Sequence, residues 1–364
     1  MKRSDNPYPF PIIIKDEYDF LKEAWENGWL NEYSEEHFLI RVIEDRLDDF
    51  QGKLQLYAND VPIYPVDSFR LNFCVNFSSK MHNLKKFFGR NEIKRFVTDQ
   101  LSAGKENYDE RKFFQALSEV SILRFWQMRS KLGYYEPKIN GKRNPEARFE
   151  CNNGSIVDIE VKTGGFDDLI HLEDMAIPTV LLNDEGRKEF QKYCEEHDIK
   201  GYMPRVMKLK DFLNSAVSKF ELVDHINHIN LLYINWTFSE FIASGFEEAF
   251  SIFANSVNGV LTHKDIGLKI GIDEDVYEKI TAVIVYTESI SGLMFGDFRW
   301  VWTRGDDGMS HFGIIGMHEC ERLLETTGMN PYAEQLTPAM LAYLKNTSHT
   351  ERLLQIIGEN LFCG

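Results

Sequence analysis

The chain has 364 residues, 43% of them hydrophobic and 13% aromatic, enough for a sizeable core in one large or two modest domains. Its formal net charge of −16 argues against a protein that coats nucleic acid indiscriminately. No apolar run approaches the about 18 residues of a membrane span, and the opening residues lead into the proline-bearing stretch 7–11 and not into a signal-peptide core. The five cysteines, Cys74, Cys151, Cys194, Cys320 and Cys363, are scattered, odd in number and without a Cys-x-x-Cys pair. The expectation is a soluble cytoplasmic protein with reduced thiols and neither a disulfide framework nor a zinc site.

In chain order, residues 16–50 read as two acidic amphipathic helices with Trp25 and Trp29 between them. Residues 69–77 alternate like a strand, and helices are expected near 80–102 and 109–131. The second of these carries Phe113, Phe114, Leu117, Val120, Leu123 and Phe125 at helical spacing. Residues 145–163 hold two alternating strand-like runs joined at Asn153-Gly154, which reads as a hairpin. A charged helical region at 184–221 leads to a strongly apolar strand at 231–236, with His225 and His228 flanking its start. A helix at 239–257 and a second buried-type strand at 282–286 follow. Residues 298–303 and 311–315, around Gly305-Asp306-Asp307-Gly308, suggest another hairpin, and the last fifty residues read as helical. The alternation implies an α/β fold: a mixed central sheet with helices on both faces.

The hairpin carries the chemistry. Strand side chains alternate between faces, so Asp158, Glu160 and Lys162 share one face while Val157, Ile159 and Val161 take the other. An acid two residues before a lysine also occurs at Glu92/Lys94, Glu110/Lys112, Glu136/Lys138 and Asp198/Lys200. Only Glu160 lies inside a β-branched alternating run preceded by a hairpin signal. Register then matters. If residues 152–154 form a three-residue loop with Gly154 in the left-handed conformation, Cys151 pairs with Ser155, Arg148 with Asp158, and Glu146 with Glu160. Directly opposed residues have Cβ atoms about 5 Å apart, close enough for Glu146 and Glu160 to grip one cation. A two-residue Asn153-Gly154 turn would put Glu146 on the apolar face, so the longer loop is expected.

Two carboxylates and an amine in this arrangement suit phosphodiester hydrolysis, where a hard divalent cation relieves the repulsion between nucleophile and phosphate. Glu146 and Glu160 serve as direct ligands with the backbone carbonyl of Val161 as a third, and Lys162 orients the attacking water and stabilises charge on the phosphate. Asp158 is either a further ligand or the partner of Arg148. The plainer alternative is a set of surface pairs, Glu160/Lys162 and Asp158/Arg148, worth under about 1 kcal/mol.

Pro145-Glu146, thirteen residues, then Glu160-Val161-Lys162 resembles the PD-(D/E)xK nuclease superfamily, the restriction-endonuclease-like nucleases, over residues 109–240. The family's first acid is usually Asp; Glu146 departs from that and leaves Glu150 as a rival. The resemblance implies a restriction-endonuclease-like core, Mg²⁺ with Mn²⁺ as a substitute, and an upstream acid on the preceding helix. Glu119 matches that last position, as holder of a second metal or an outer-shell water.

Charge is uneven along the chain: residues 1–70 carry 8 Lys+Arg and 15 Asp+Glu, 71–148 carry 16 and 8, and 149–364 carry 17 and 34. The basic third includes Lys80, Lys85, Lys86, Arg90, Lys94 and Arg95 beside Phe87 and Phe88, then Lys138, Lys142, Arg143 and Arg148. Such clusters suit phosphate contacts, and Lys85, Lys86, Arg90, Lys142, Arg143 and Arg148 are the expected nucleic-acid track; a solvated helix face at 80–96 is the alternative. The sequence therefore divides into an acidic helical region at 1–70, a nuclease-like core at 71–308 and a helical region at 309–364. The expected function is a metal-dependent nuclease acting on DNA in restriction, defence or DNA processing. Its rivals are an inactive nuclease-fold module that binds nucleic acid and a module whose acidic regions dock a protein. No membrane partner is expected, and a homodimer stays open.

Overall fold

The computed structural model describes residues 19–46, 66–105, 107–139, 144–164, 175–176, 184–201, 205–236, 249, 252–254, 258–287 and 311–317. They fall into two compact units, one holding the described residues up to Met128 and the other those from Arg129 onward.

The first unit is helical: α1 (Asp19–Glu26), α2 (Phe38–Ile43), α3 (Val66–Phe88), α4 (Arg90–Asp99) and α5 (Glu110–Gln127). Residues 69–77, expected as a strand, lie inside α3. Phe73, Cys74, Phe77, Met81 and Leu84 are all buried, which is a helical spacing, and it prevails over the alternation seen in the shorter window. The expected boundary at residue 70 therefore cuts a continuous helix. Trp25, expected between helices, lies within α1. Phe38 meets Phe73 edge to face with ring centroids 5.3 Å apart, and Arg70 donates to the Val42 and Ile43 carbonyls at 2.6 and 2.9 Å, satisfying acceptors the end of α2 leaves over. Asp109 caps α5 by accepting from Arg111 N–H at 3.0 Å.

The second unit is built on a mixed sheet. Its strands in chain order are β1 (Ser130–Tyr135), β2 (Ala147–Cys151), β3 (Ile156–Thr163), the two-residue β4 (Met175–Ala176) and β5 (Lys200–Gly201), then β6 (His228–Asn235), β7 (Ala282–Thr287) and β8 (His311–Gly316). Helices α6 (Asp184–Glu196), α7 (Lys208–Val217), α8 (Lys264–Lys269) and α9 (Asp275–Lys279) lie between them. The main sheet has the order β1-β2-β3-β6-β7-β8, and β4 pairs with β5 separately. β1, β2 and β3 form an antiparallel meander, β3, β6 and β7 are parallel, and β8 returns antiparallel. The expected core boundary at 308 is passed by β8, which completes the sheet.

Two rows of side chains explain why β3 is central. On one face Phe149, Val157 and Ile229 stand side by side, as do Ala147, Ile159 and Leu231, all buried and apolar. On the other face Leu232 and Ile234 of β6 and Val283 and Val285 of β7 pack with Leu209, Leu213, Ala216 and Val217 of α7 and with Val276 and Ile280. At roughly 1.5–3 kcal/mol for each fully buried aliphatic side chain, this layer holds α7 firmly against the sheet. Gly164, just past β3, is required by close packing: a Cβ there would lie 2.7 Å from the Trp236 ring.

Ala249 and residues 252–254 of the expected 239–257 helix are helical. The expected strand at 298–303 and the C-terminal helices lie outside the described residues, as do Lys142 and Arg143. No described helix is long and apolar enough to cross a membrane.

Candidate functional site

The hairpin adopts the longer loop. Gly154 has φ +86, its N–H reaches Cys151 O at 2.9 Å, and Cys151 N–H donates to Ser155 O at 2.8 Å. Arg148 stands opposite Asp158 and Ala147 opposite Ile159, so the same register sets Glu146 across from Glu160. Glu150 stands opposite Ile156, is exposed, and accepts from the Tyr134 hydroxyl at 3.3 Å. Glu146, not Glu150, is thus the acid next to Glu160.

Four charged groups converge there. Lys162 Nζ lies 2.5 Å from Glu160 Oε1, and Lys219 Nζ lies 2.6 Å from that same oxygen and 3.3 Å from Glu146 Oε1. The Glu160 side chain is 0% exposed, whereas those of Glu146, Lys162 and Lys219 retain 14–20%. Burial, and then the nearby Glu146 charge, raises the Glu160 carboxyl above the usual glutamate range, against the pull of Lys162 and Lys219. Burial pulls Lys219 down, but Glu146 and Glu160 outweigh it and hold the ammonium above its ordinary value.

The backbone adds a further acceptor. Strand amides alternate in direction, and the Cys151–Ser155 exchange on one side and Ile156 N–H to Asn227 O at 2.7 Å on the other fix that alternation. Val157, Ile159 and Val161 therefore aim their backbone groups toward β2. The ladder ends at Ala147 and Ile159, and the residue next in register with Val161 is Pro145, which has no N–H to offer its carbonyl.

These residues fit a hard divalent cation. Among the described residues Glu160 Oε2 is buried with no hydrogen-bond partner, and a buried carboxylate oxygen left so is costly unless a charge meets it. Glu146, Glu160 and the Val161 carbonyl would supply oxygen ligands, the donor type Mg²⁺ prefers. Among the described residues no three His, Cys, Asp or Glu side chains converge on one point.

Asp158 does not join this set. It is fully buried and bound by Arg148, whose Nε and Nη2 each reach one carboxylate oxygen at 2.7 Å, and His228 Nε2 adds a contact at 2.9 Å. Arg148 also reaches Glu221 at 3.3 Å, so its fork is spent internally and it is not placed as a phosphate contact. The expected basic track is altered likewise. Lys85 is ion-paired with Glu23 of α1, and Arg90 reaches Glu23 at 3.0 Å and Asn27 at 2.9 Å while lying over the Trp29 ring. Lys86 is exposed. Glu119 lies within α5, in the first unit, and is buried instead of on a solvated face. The hairpin cluster is built from the second unit alone.

Sequence reasoning missed Lys219, Glu221 and Asn230, and placed His228 only at the start of the apolar strand, not beside Asp158. Lys219 and Glu221 follow α7 and reach the sheet across 73 residues of chain from Glu146 and Arg148, in a segment with no motif. Asp224 Oδ1 accepts from the N–H groups of Ile226, Asn227 and His228, each at 3.0 Å, and Asn230 Nδ2 donates to Glu221 O and Lys279 O at 2.8 and 2.7 Å. These bonds hold the connection from α7 to β6 that presents Lys219 and Glu221.

No protein-family model, no curated protein and no solved structure matches this chain.

Proposed function

We propose that the chain is a metal-dependent nuclease that hydrolyses phosphodiester bonds, acting on DNA and leaving a phosphate on one end of the cut. The observation that carries the reading is Glu160: a fully buried carboxylate with an unpartnered Oε2, facing Glu146 across the strand pair and Lys162 along its own strand. A mixed sheet flanked by helices, with the acid-x-Lys strand in its interior, agrees with the core that a PD-(D/E)xK nuclease implies.

In this reading Glu146, Glu160 and the Val161 carbonyl would hold Mg²⁺, or Mn²⁺ in its place, and the ion would supply Lewis acidity at the phosphate. Lys162, 2.5 Å from Glu160 Oε1, orients the attacking water and offsets the negative charge that grows on the phosphate oxygens. Burial of Glu160 keeps the cluster in a low-dielectric setting, where each fixed charge acts more strongly than in water. Arg148 and Asp158 brace the same sheet face two residue pairs away and keep β2 in register.

The rival reading, a nuclease-like module that binds without cutting, draws support from the internal pairing of Lys85 and Arg90, which thins the basic track. Incubating the full chain with plasmid, linear and single-stranded DNA, with Mg²⁺, Mn²⁺ or a chelator, separates the two. Metal-dependent cutting that the Glu160→Gln variant lacks supports the nuclease. Salt-sensitive binding without cutting supports the module.

A further inference from the structure

We propose that Lys219 is a built-in competitor for the cation held by Glu146 and Glu160, so that it sets the metal affinity of the site and leaves the carboxylate pair when metal enters. The proposal rests on the metal-site reading above. Its basis is that the ammonium bridges both acids, 2.6 Å from Glu160 Oε1 and 3.3 Å from Glu146 Oε1, the position an ion shared by two opposed carboxylates must take. Mg²⁺ binds oxygen at about 2.0–2.1 Å, so an ion shared by the two acids would stand within a few ångströms of the ammonium even when it takes the vacant Glu160 Oε2. Two cations cannot occupy that gap together. Lys162 differs: among the described residues it is ion-paired with Glu160 and does not bridge to Glu146, so it keeps its place beside a bound ion.

The surroundings let Lys219 move without moving the chain. Its N–H donates to Ala216 O at 2.9 Å, Phe220 beside it is buried in the core under α7, and Glu221 reaches Arg148 at 3.3 Å. The backbone is held on both sides, while the four-carbon side chain is still 20% exposed. Rotation of that stem exchanges one unit of positive charge for two between the acids.

Two measurements on the full-length chain test the exchange. In calorimetric titration with Mn²⁺ and with Mg²⁺, Lys219→Met should bind roughly tenfold tighter than wild type, the order expected for removing one opposing charge beside a partly buried ion, and Lys219→Arg, which keeps the charge, should not. Lys219→Gln serves if the Met variant folds poorly. In wild type, saturating Mg²⁺ should raise labelling of Lys219 by an amine-reactive ester, read by peptide mass spectrometry, which a lysine serving only to hold the fold would not show. Unchanged or weaker affinity in both neutral variants, or Lys219 labelling that stays level or falls with Mg²⁺, would overturn the proposal while wild-type binding keeps the metal site. If neither wild type nor the neutral variants bind metal, the metal-site reading falls and the proposal with it.

Discussion

Arg148 grips the fully buried Asp158 through two parallel hydrogen bonds, both 2.7 Å, from neighbouring strands of the sheet. The pair lies two positions along the ladder from the Glu146 and Glu160 pair, on the same face, so it fixes the register on which the candidate site depends. Removing the arginine strands a carboxylate that, among the described residues, His228 alone still pairs with. Arg148→Ala should destabilise the protein by about 3 kcal/mol or more, measured by urea denaturation, since breaking one side of a buried ion pair leaves an uncompensated charge. A loss near zero would mean that Asp158 is solvated in solution and Arg148 is free for phosphate.

The loop behind that pair has its own pH signature. Three backbone N–H groups, His228 first, then Ile226 and Asn227, hold the Asp224 carboxyl down at about 2. A carboxyl depressed in the folded state stabilises above its unfolded value, about 4, and the contribution is lost as pH falls through the folded value. The difference in melting temperature between wild type and Asp224→Ala should therefore be full above about pH 4 and shrink toward pH 2. A difference that is constant from pH 5 to 2 would contradict it.

Gly154 tests the loop that sets the register. Its φ is +86 and nothing lies within 4 Å of an added Cβ, so substitution acts through backbone strain alone. Gly154→Ala should cost about 1 kcal/mol, and Gly154→Asn less, because asparagine tolerates the left-handed region. Equal stability of all three in thermal melts would indicate a different turn.

How much of this the amino-acid sequence disclosed depends on the range of the interaction. The hairpin, the register and the pairing of Arg148 with Asp158 were legible because strand alternation and one glycine determine them locally. The strands at 231–236 and 282–286 were legible because burial on both faces leaves continuous apolar runs. Residues 69–77 misled because a seven-to-nine-residue window satisfies both periodicities, and only the continuation to Met81 and Leu84 settles the helix. Lys219 was hidden because its partners are distant in sequence, and Lys85 and Arg90 looked free because Glu23, which neutralises them, lies more than sixty residues upstream.

That pairing revises the expected salt dependence. Lys85 and Arg90 are held by Glu23, whereas Lys86 is exposed. Lys86→Ala should lower the salt slope of DNA binding by at most about one unit, and Lys85→Ala and Arg90→Ala should leave it near wild type. A joint drop of about three units in the triple variant would show that Glu23 releases its partners to the phosphates.

If Glu146 and Glu160 share one metal ion with Lys162 beside it, the initial rate of Mg²⁺-dependent cleavage of a labelled DNA depends on all three side chains. Glu146→Gln, Glu160→Gln and Lys162→Ala should each lose at least about 10²-fold in rate while remaining folded, because each removes transition-state stabilisation. Glu150→Gln, whose side chain is exposed beside Tyr134, should cut like wild type. Wild-type rates in well-folded Glu160→Gln or Lys162→Ala, or a loss confined to Glu150→Gln, would contradict the claim.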